Sequence, residues 1–189
     1  MHTYIILLRA VTPTGKNKVP MAPLRAALEQ AGLSNVRTYI QSGNVIARAE
    51  LSQPALETLV HEIIKQQFGG DIAVLARPVS YLHAMLMRNP FANADPAKLY
   101  FTLLAEIPPA HAVSTFLAPG YAPDQVQVID DMVYICCATT YSQLKANNTF
   151  IERKLKLPAT TRVSKTMTKL VALGIETEQI AAQPSALQP

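Results

Sequence analysis

The sequence of 189 residues contains no tryptophan, only two cysteines and few aromatic side chains, which make up 6% of the chain. The cysteines, Cys136 and Cys137, are adjacent, so on a strand they point to opposite faces. They can therefore neither easily form a disulfide with each other nor bind one metal ion together. The four histidines are not spaced as metal ligands. We therefore expect no metal, no cofactor and a reducing compartment.

Long hydrophobic runs are also missing. The longest, Tyr4–Leu8 and Met132–Ala138, are far too short to cross a bilayer. Residues Met1–Ala10 have neither a basic leader nor a small-residue cleavage site. These absences predict a cytoplasmic protein without membrane contact.

Motifs that identify a reaction are absent as well. Gly15-Lys16-Asn17 follows a predicted strand, but a phosphate loop needs an upstream glycine at fixed spacing and a Ser or Thr where Asn17 stands. The chain has no G-x-S-x-G sequence, and no catalytic triad can be assembled from it. The sequence alone therefore assigns no chemistry.

Enough apolar residues are present to build a core. They make up 49% of the chain, against 16% charged residues, which excludes global disorder. A chain of this length forms one large domain or two small ones.

The first half predicts the element order β-α-β-β-α-β, which is the ferredoxin-like arrangement. Short runs of strand formers predict strands at Tyr4–Leu8, Val36–Ile40, Val45–Arg48 and Ile72–Ala76. Apolar residues at helical spacing predict helices around Leu24–Ala31 and Leu56–Ile64. Gln41-Ser42-Gly43-Asn44 reads as a hairpin turn, because glycine allows a positive φ.

A bridging helix that ends before Pro90 follows, and the second half then repeats the pattern. Its strands are predicted at Leu99–Ala105, Val126–Ile129, Met132–Cys137 and Thr160–Val163. A last helix is predicted to begin at Ser164 and to end at Gly174. The prediction is an α+β fold of two ferredoxin-like halves with antiparallel sheets, a bridging helix and a C-terminal helix. Its parts are residues 1–78, a bridging helix and linker at 79–96, a second half at 97–175 and a tail at 176–189.

This topology brings separated polar residues to one edge of the first sheet. In a split β-α-β unit the first two strands are parallel and the third lies between them. The end of strand one and the turn between strands two and three therefore share an edge. That edge gathers three cations and three hydrogen-bonding side chains: Arg9, Lys16, Lys18, Gln41, Ser42 and Asn44.

Positive charge is concentrated between Tyr141 and Leu170. This stretch has seven Lys or Arg against one acid, Glu152, whereas the whole chain has 17 Lys and Arg against 13 Asp and Glu. Such a segment attracts anions, although it is also typical of the solvated face of a helix. Lys145, Asn148 and Glu152 are spaced to share one side of a helix. Arg162 and Lys165 flank a helix start, where free amides favour an anion.

Three segments are together typical of one bacterial family. They are YIILLRAVTPTGKNKVPMAPLR at Tyr4–Arg25, GLSNVRTYIQSGNV at Gly32–Val45 and NTFIERKLKLPATTRVSKTMT at Asn148–Thr168. On these segments the chain resembles the family called domain of unknown function 1697. The resemblance implies a cytoplasmic two-part α+β protein with ferredoxin-like halves and implies no established activity.

The chain departs from the family pattern in three loops. Residues 10–14 read AVTPT where GINVG is usual, residues 141–146 read YSQLKA where YGRSKL is usual, and residues 163–165 read VSK where NWN is usual. Two loops that would most plausibly serve a site are thus altered in this chain, so a ligand common to the family is not expected to carry over unchanged.

Three functions stay open at this point. The first is binding of an anionic or phosphate-bearing ligand or of nucleic acid, and RNA recognition on a sheet would use Tyr39 and Tyr100. The second is an enzyme for a small anionic substrate in a cleft between the halves. The third is a structural or partner-binding protein. The predicted binding residues are Arg9, Lys16, Lys18, Arg37, Gln41, Ser42, Asn44, Lys145, Asn148, Arg153, Lys154, Arg162 and Lys165.

Overall fold

The computed structural model describes residues 1–12 and 14–183, which form eight strands, six α-helices and two short 3₁₀ helices. The strands are β1 His2–Leu8, β2 Ser34–Thr38, β3 Asn44–Ala49, β4 Val74–Pro78, β5 Leu99–Leu104, β6 Gln125–Ile129, β7 Met132–Cys136 and β8 Ala159–Val163. The α-helices are α1 Met21–Gln30, α2 Gln53–Phe68, α3 Val79–Met87, α4 Ala110–Leu117, α5 Asn148–Leu155 and α6 Ser164–Ala182. The 3₁₀ helices are Pro96–Lys98 and Tyr141–Gln143.

The strands form two four-stranded antiparallel sheets with the orders β2-β3-β1-β4 and β6-β7-β5-β8. In the first sheet β3 lies between β1 and β2 and is antiparallel to both, so β1 and β2 are parallel. The second sheet repeats this order, with β7 between β5 and β6. The predicted α+β fold of two similar halves is confirmed.

Among the described residues, the chain divides into two compact units, one formed by residues up to His83 together with residues 169–183 and one formed by Ala84–Thr168. In the first unit, α1 and α2 cover one face of the sheet with a continuous apolar core. In the second unit, apolar residues of α4 and α5 pack in one cluster with residues of β5, β7 and β8. The predicted boundaries at residues 78 and 96 stay predictions.

The central strands β1 and β5 carry buried residues on both faces. In β1, Ile6 and Leu8 belong to the core under α1 and α2, while Ile5, which points to the other face, is also fully buried. In β5, Phe101 and Thr102 point to opposite faces, and both are at most 2% exposed. These two strands therefore offer no open face to a ligand, whereas the edge strand β6 keeps Gln125 and Gln127 exposed.

The prediction that the last helix ends at Gly174 is wrong. Helix α6 continues to Ala182, so residues 176–182 of the predicted tail are helical. Gly174 lies inside the helix because there is no room for a side chain: a Cβ would overlap Val79 Cγ2 and lie 3.1 Å from Val79 Cγ1. Residues 184–189 of the predicted tail lie outside the described residues. Within the described ranges, no helix has both the length and the apolar character needed to span a bilayer.

Candidate functional site

The predicted edge of the first sheet is formed by the end of β1 and the β2–β3 turn. Leu7 pairs with Asn44 in the register of β1 and β3, and the Leu8 N–H donates to the Gly43 carbonyl at 2.8 Å. Gly43 has the positive φ of 75° that the turn needs. The juxtaposition expected from the strand order is therefore present.

The polar side chains of this edge hold the turn itself. Asn44 is fully buried, and its Nδ2 donates to the Tyr39 carbonyl at 3.0 Å and to Ser42 Oγ at 2.9 Å. Gln41 Nε2 donates to the Val19 carbonyl at 3.3 Å. These predicted ligand-binding groups have structural partners, and the buried amide of Asn44 must satisfy its donors within the protein.

The predicted cations of the first unit differ in exposure and in partners. Lys16 and Lys18 are exposed on the loop before α1. Arg9 is half-buried, and its backbone N–H donates to the Ala73 carbonyl. Arg37, on β2, forms an ion pair with Glu176 at 3.1 Å, which neutralises it locally.

A cavity of about 510 Å³ lies at the start of α5 in the second unit. We call it the α5 cavity. It is lined by Tyr141, Ser142, Lys145, Asn147, Asn148, Thr149, Phe150 and Arg153. This lining contains two cations and no carboxylate, so it favours a negatively charged occupant.

The start of α5 is capped by Asn147, which positions the cavity wall. Its Oδ1 accepts the Phe150 N–H at 3.1 Å, and the Asn148 N–H donates to Tyr141 Oη at 3.1 Å. The first N–H groups of a helix have no acceptors within the helix. Among the described residues, the Thr149 N–H also has none outside it. Thr149 lines the cavity, so this N–H adds a backbone donor at the helix start beside the two cations.

Lys145 precedes α5, so the prediction that it shares a helix side with Asn148 and Glu152 is wrong. The helix begins only after the Asn147 cap, because the side chain of Asn147 replaces the missing helical partner of Phe150. Lys145 instead places its Nζ 5.9 Å from the centroid of the Tyr121 ring.

Asn148 lines the cavity, but its side chain is already engaged. Its Nδ2 donates to the Ala159 carbonyl at 3.1 Å, and its Oδ1 accepts the Thr161 hydroxyl at 2.9 Å. Glu152 Oε1 accepts the Ala159 N–H at 2.9 Å. Both residues tie α5 to β8, which is a structural role.

Arg153 and Lys154 are exposed neighbours near the Phe150 ring, and they differ in one respect. Their charged groups lie 5.3 Å and 5.7 Å from its centroid, a cation–π distance. Arg153 lines the cavity, whereas Lys154 does not.

The remaining predicted cations, Arg162 and Lys165, do not line the α5 cavity either. Arg162 is half-buried on β8, where its Nη1 donates to Thr160 Oγ1 at 2.7 Å and to the Thr161 carbonyl at 2.9 Å. Burial lowers the pKa of its guanidinium to about 10. Lys165 is exposed in the first turn of α6.

Five lining residues are absent from the predicted set of binding residues: Tyr141, Ser142, Asn147, Thr149 and Phe150. An available signal was the pair Asn147-Asn148, since asparagine is a favoured N-cap and marks a helix start. Among the described residues, no group of three or more His, Cys, Asp or Glu is placed to hold a metal.

Cys137 packs in the core of the second unit, so we expect its thiol to react slowly in the native protein. Cys137 is 2% exposed, and burial raises the pKa of its thiol to about 11. Because the thiolate is the reactive form, we expect Cys137 in the native Cys136→Ser variant to react with iodoacetamide at pH 8 about 100-fold more slowly than in urea. Peptide mass spectrometry measures both rates. Equal rates would instead indicate an accessible, activated thiol.

The family model for a protein of unknown function (DUF1697) matches residues 1–134. The chain belongs to this family. Of the three segments that resemble it, Asn148–Thr168 lies outside the matched residues, as does the α5 cavity. No curated protein matches the chain.

The solved structure of the conserved bacterial protein SP0830 from Streptococcus pneumoniae is similar to this DUF1697 chain, with a TM-score of 0.73. The two share 21% sequence identity, and the similarity covers 92% of this chain and 98% of that one. At this identity the likeness establishes a shared fold of two halves.

Proposed function

We propose that this DUF1697 protein binds an anionic, phosphate-bearing ligand in the α5 cavity. The observation that supports the proposal is the set of donors around this cavity. Lys145 and Arg153 supply positive charge, the Thr149 N–H supplies a backbone donor, and no carboxylate is present to repel an anion. Hydrogen bonds from charged donors are the strong ones in anion recognition.

Recognition of RNA on an open sheet is less well supported than binding in this cavity. That mode needs aromatic side chains exposed on central strands. Tyr39 follows the edge strand β2, and Tyr100 on β5 stacks on Tyr141 with ring centroids 4.7 Å apart. Because the central strands β1 and β5 are also buried on both faces, we favour a small ligand over a nucleic acid. We retain the cytoplasm as the expected compartment, since both cysteines are free thiols.

Charge removal at the cavity tests the proposal. We expect isothermal titration with inorganic phosphate or pyrophosphate to show saturable binding that weakens as salt rises. Lys145→Gln and Arg153→Gln should each weaken binding about tenfold, or about 1.4 kcal/mol, because each removes one charged donor.

Lys154→Gln is the matched control. It removes the same charge from the same helix and the same ring contact, but from outside the cavity. We expect its affinity to stay within about twofold of the wild type, since an exposed charge off the site acts only through screened solvent. Equal losses in all three variants, or no saturable binding by the wild type, would overturn the proposal.

A further inference from the structure

A second cavity, of about 370 Å³, lies along the edge strand β6. We call it the β6 cavity. Its lining includes Tyr121, and the Lys145 ammonium, which lines the α5 cavity, lies 5.9 Å from the centroid of the Tyr121 ring. The two cavities therefore lie on either side of the Lys145–Tyr121 contact.

The two cavities differ in charge. The α5 cavity has two cations and no carboxylate, whereas the β6 cavity contains Asp124 and no cation. Asp124 Oδ1 accepts the Ala138 N–H at 2.8 Å, which fixes the carboxylate. A ligand that fills both must have an anionic end beside Lys145 and Arg153 and hydrogen-bond donors, such as hydroxyl groups, beside Asp124.

The β6 cavity also has features that suit a planar, polar group. Phe91 and Tyr121 present aromatic rings, and the Tyr121 ring is fixed because its hydroxyl donates to the Phe116 carbonyl at 2.6 Å. The exposed side chains of Gln125 and Gln127 supply amides that both donate and accept. Aromatic rings stack on nucleobases, and amides hydrogen-bond to base edges.

We propose that the ligand is a nucleoside phosphate, with its phosphate in the α5 cavity and its ribose and base in the β6 cavity. The ribose hydroxyls donate to Asp124, and the base lies against the aromatic rings within reach of the glutamine amides. The volumes of the two cavities are those of sites that hold small molecules rather than single ions. This inference rests on the proposed function, since it requires an anion site at Lys145 and Arg153.

Calorimetric titration of the full chain with inorganic phosphate, ribose 5-phosphate and the four common ribonucleoside 5′-monophosphates tests the inference. At least one nucleotide is expected to bind about tenfold more tightly than ribose 5-phosphate, the size of one stacking contact. Asp124→Asn, which keeps an oxygen for the Ala138 N–H, and Gln127→Ala should each remove most of this gain. Both should leave inorganic phosphate binding within about twofold of the wild type.

Gln67→Ala, an exposed glutamine on α2 in the other unit, is the matched control and should change neither affinity. If every phosphate compound binds equally, or if the two β6-cavity variants keep the full nucleotide gain, the nucleoside inference is overturned and the anion site stands. If neither phosphate nor any nucleotide binds, the proposed function and the inference both fail.

Discussion

Replacing Gly43 by alanine is expected to lower the free energy of unfolding of the first unit by about 2 to 5 kcal/mol. Two costs add at this position. Gly43 has a φ of 75°, where a Cβ costs roughly 1–2 kcal/mol. A Cβ there would also lie 2.7 Å from Leu8 Cβ and 2.7 Å from Val11 Cγ2, and overpacking of this kind costs about 1–3 kcal/mol. Leu8 Cβ belongs to the central strand β1, so it cannot move away without shifting that strand.

Gly15→Ala is the matched control for this prediction. Gly15 also has a positive φ, of 81°, but an added Cβ there meets no atom within 4 Å. Its substitution should therefore cost only the backbone term. Urea unfolding followed by circular dichroism, with hydrogen exchange of the β1 and β3 amides, gives both free energies. If the two variants lose the same stability, the overlap with Leu8 contributes nothing and the prediction fails.

The turn at Gly43 shows how far the sequence predicts the fold. Glycine between two runs of strand formers is a local signal, so the hairpin and the parallel relation of β1 and β2 could be predicted. The contact with Leu8 could not, because it depends on which strand passes beside the turn at the Leu7–Asn44 pair. Local chemistry predicts the turn, and only tertiary pairing shows what it contacts.

The candidate site was predicted in part for the same reason. Lys145 and Arg153 were identified by charge, which is visible in the sequence, and both line the α5 cavity. Asn44 and Asn148 were identified by residue type, but both are used internally, since their amides satisfy backbone carbonyls. A sequence shows which side chains can form hydrogen bonds, but not which of them already have partners after folding.

Arg37 illustrates a different limit. It was predicted to be a binding residue, yet its partner Glu176 comes from a segment that was predicted to be a tail. The error arose at Gly174, which was taken as a helix end because glycine is common there. In the structure Gly174 lies within α6, where its contact with Val79 leaves no room for a side chain. The helix therefore continues past Gly174, and Glu176 reaches Arg37.

The close contact between Gly174 and Val79 determines what we expect of the Gly174→Ala substitution. On helix propensity alone, Gly174→Ala should stabilise α6 by about 1 kcal/mol. We expect the opposite, a net loss of about 1 to 2 kcal/mol, because the added methyl overlaps the side chain of Val79, which is 2% exposed, and this overpacking costs up to about 3 kcal/mol. The sign of the change in urea or thermal unfolding therefore distinguishes the two effects.

A double-mutant cycle with Val79→Ala identifies the cause. Val79→Ala alone removes buried carbon atoms and should itself destabilise the protein. In that background the methyl of Gly174→Ala occupies the vacated volume and gains the helix propensity of alanine, so it should become neutral or stabilising. The interaction free energy between the two sites is expected to be about 2 kcal/mol or more in favour of the double variant. Additive losses would show that the methyl is not rejected by Val79, and the role of Gly174 would then lie in the helix backbone.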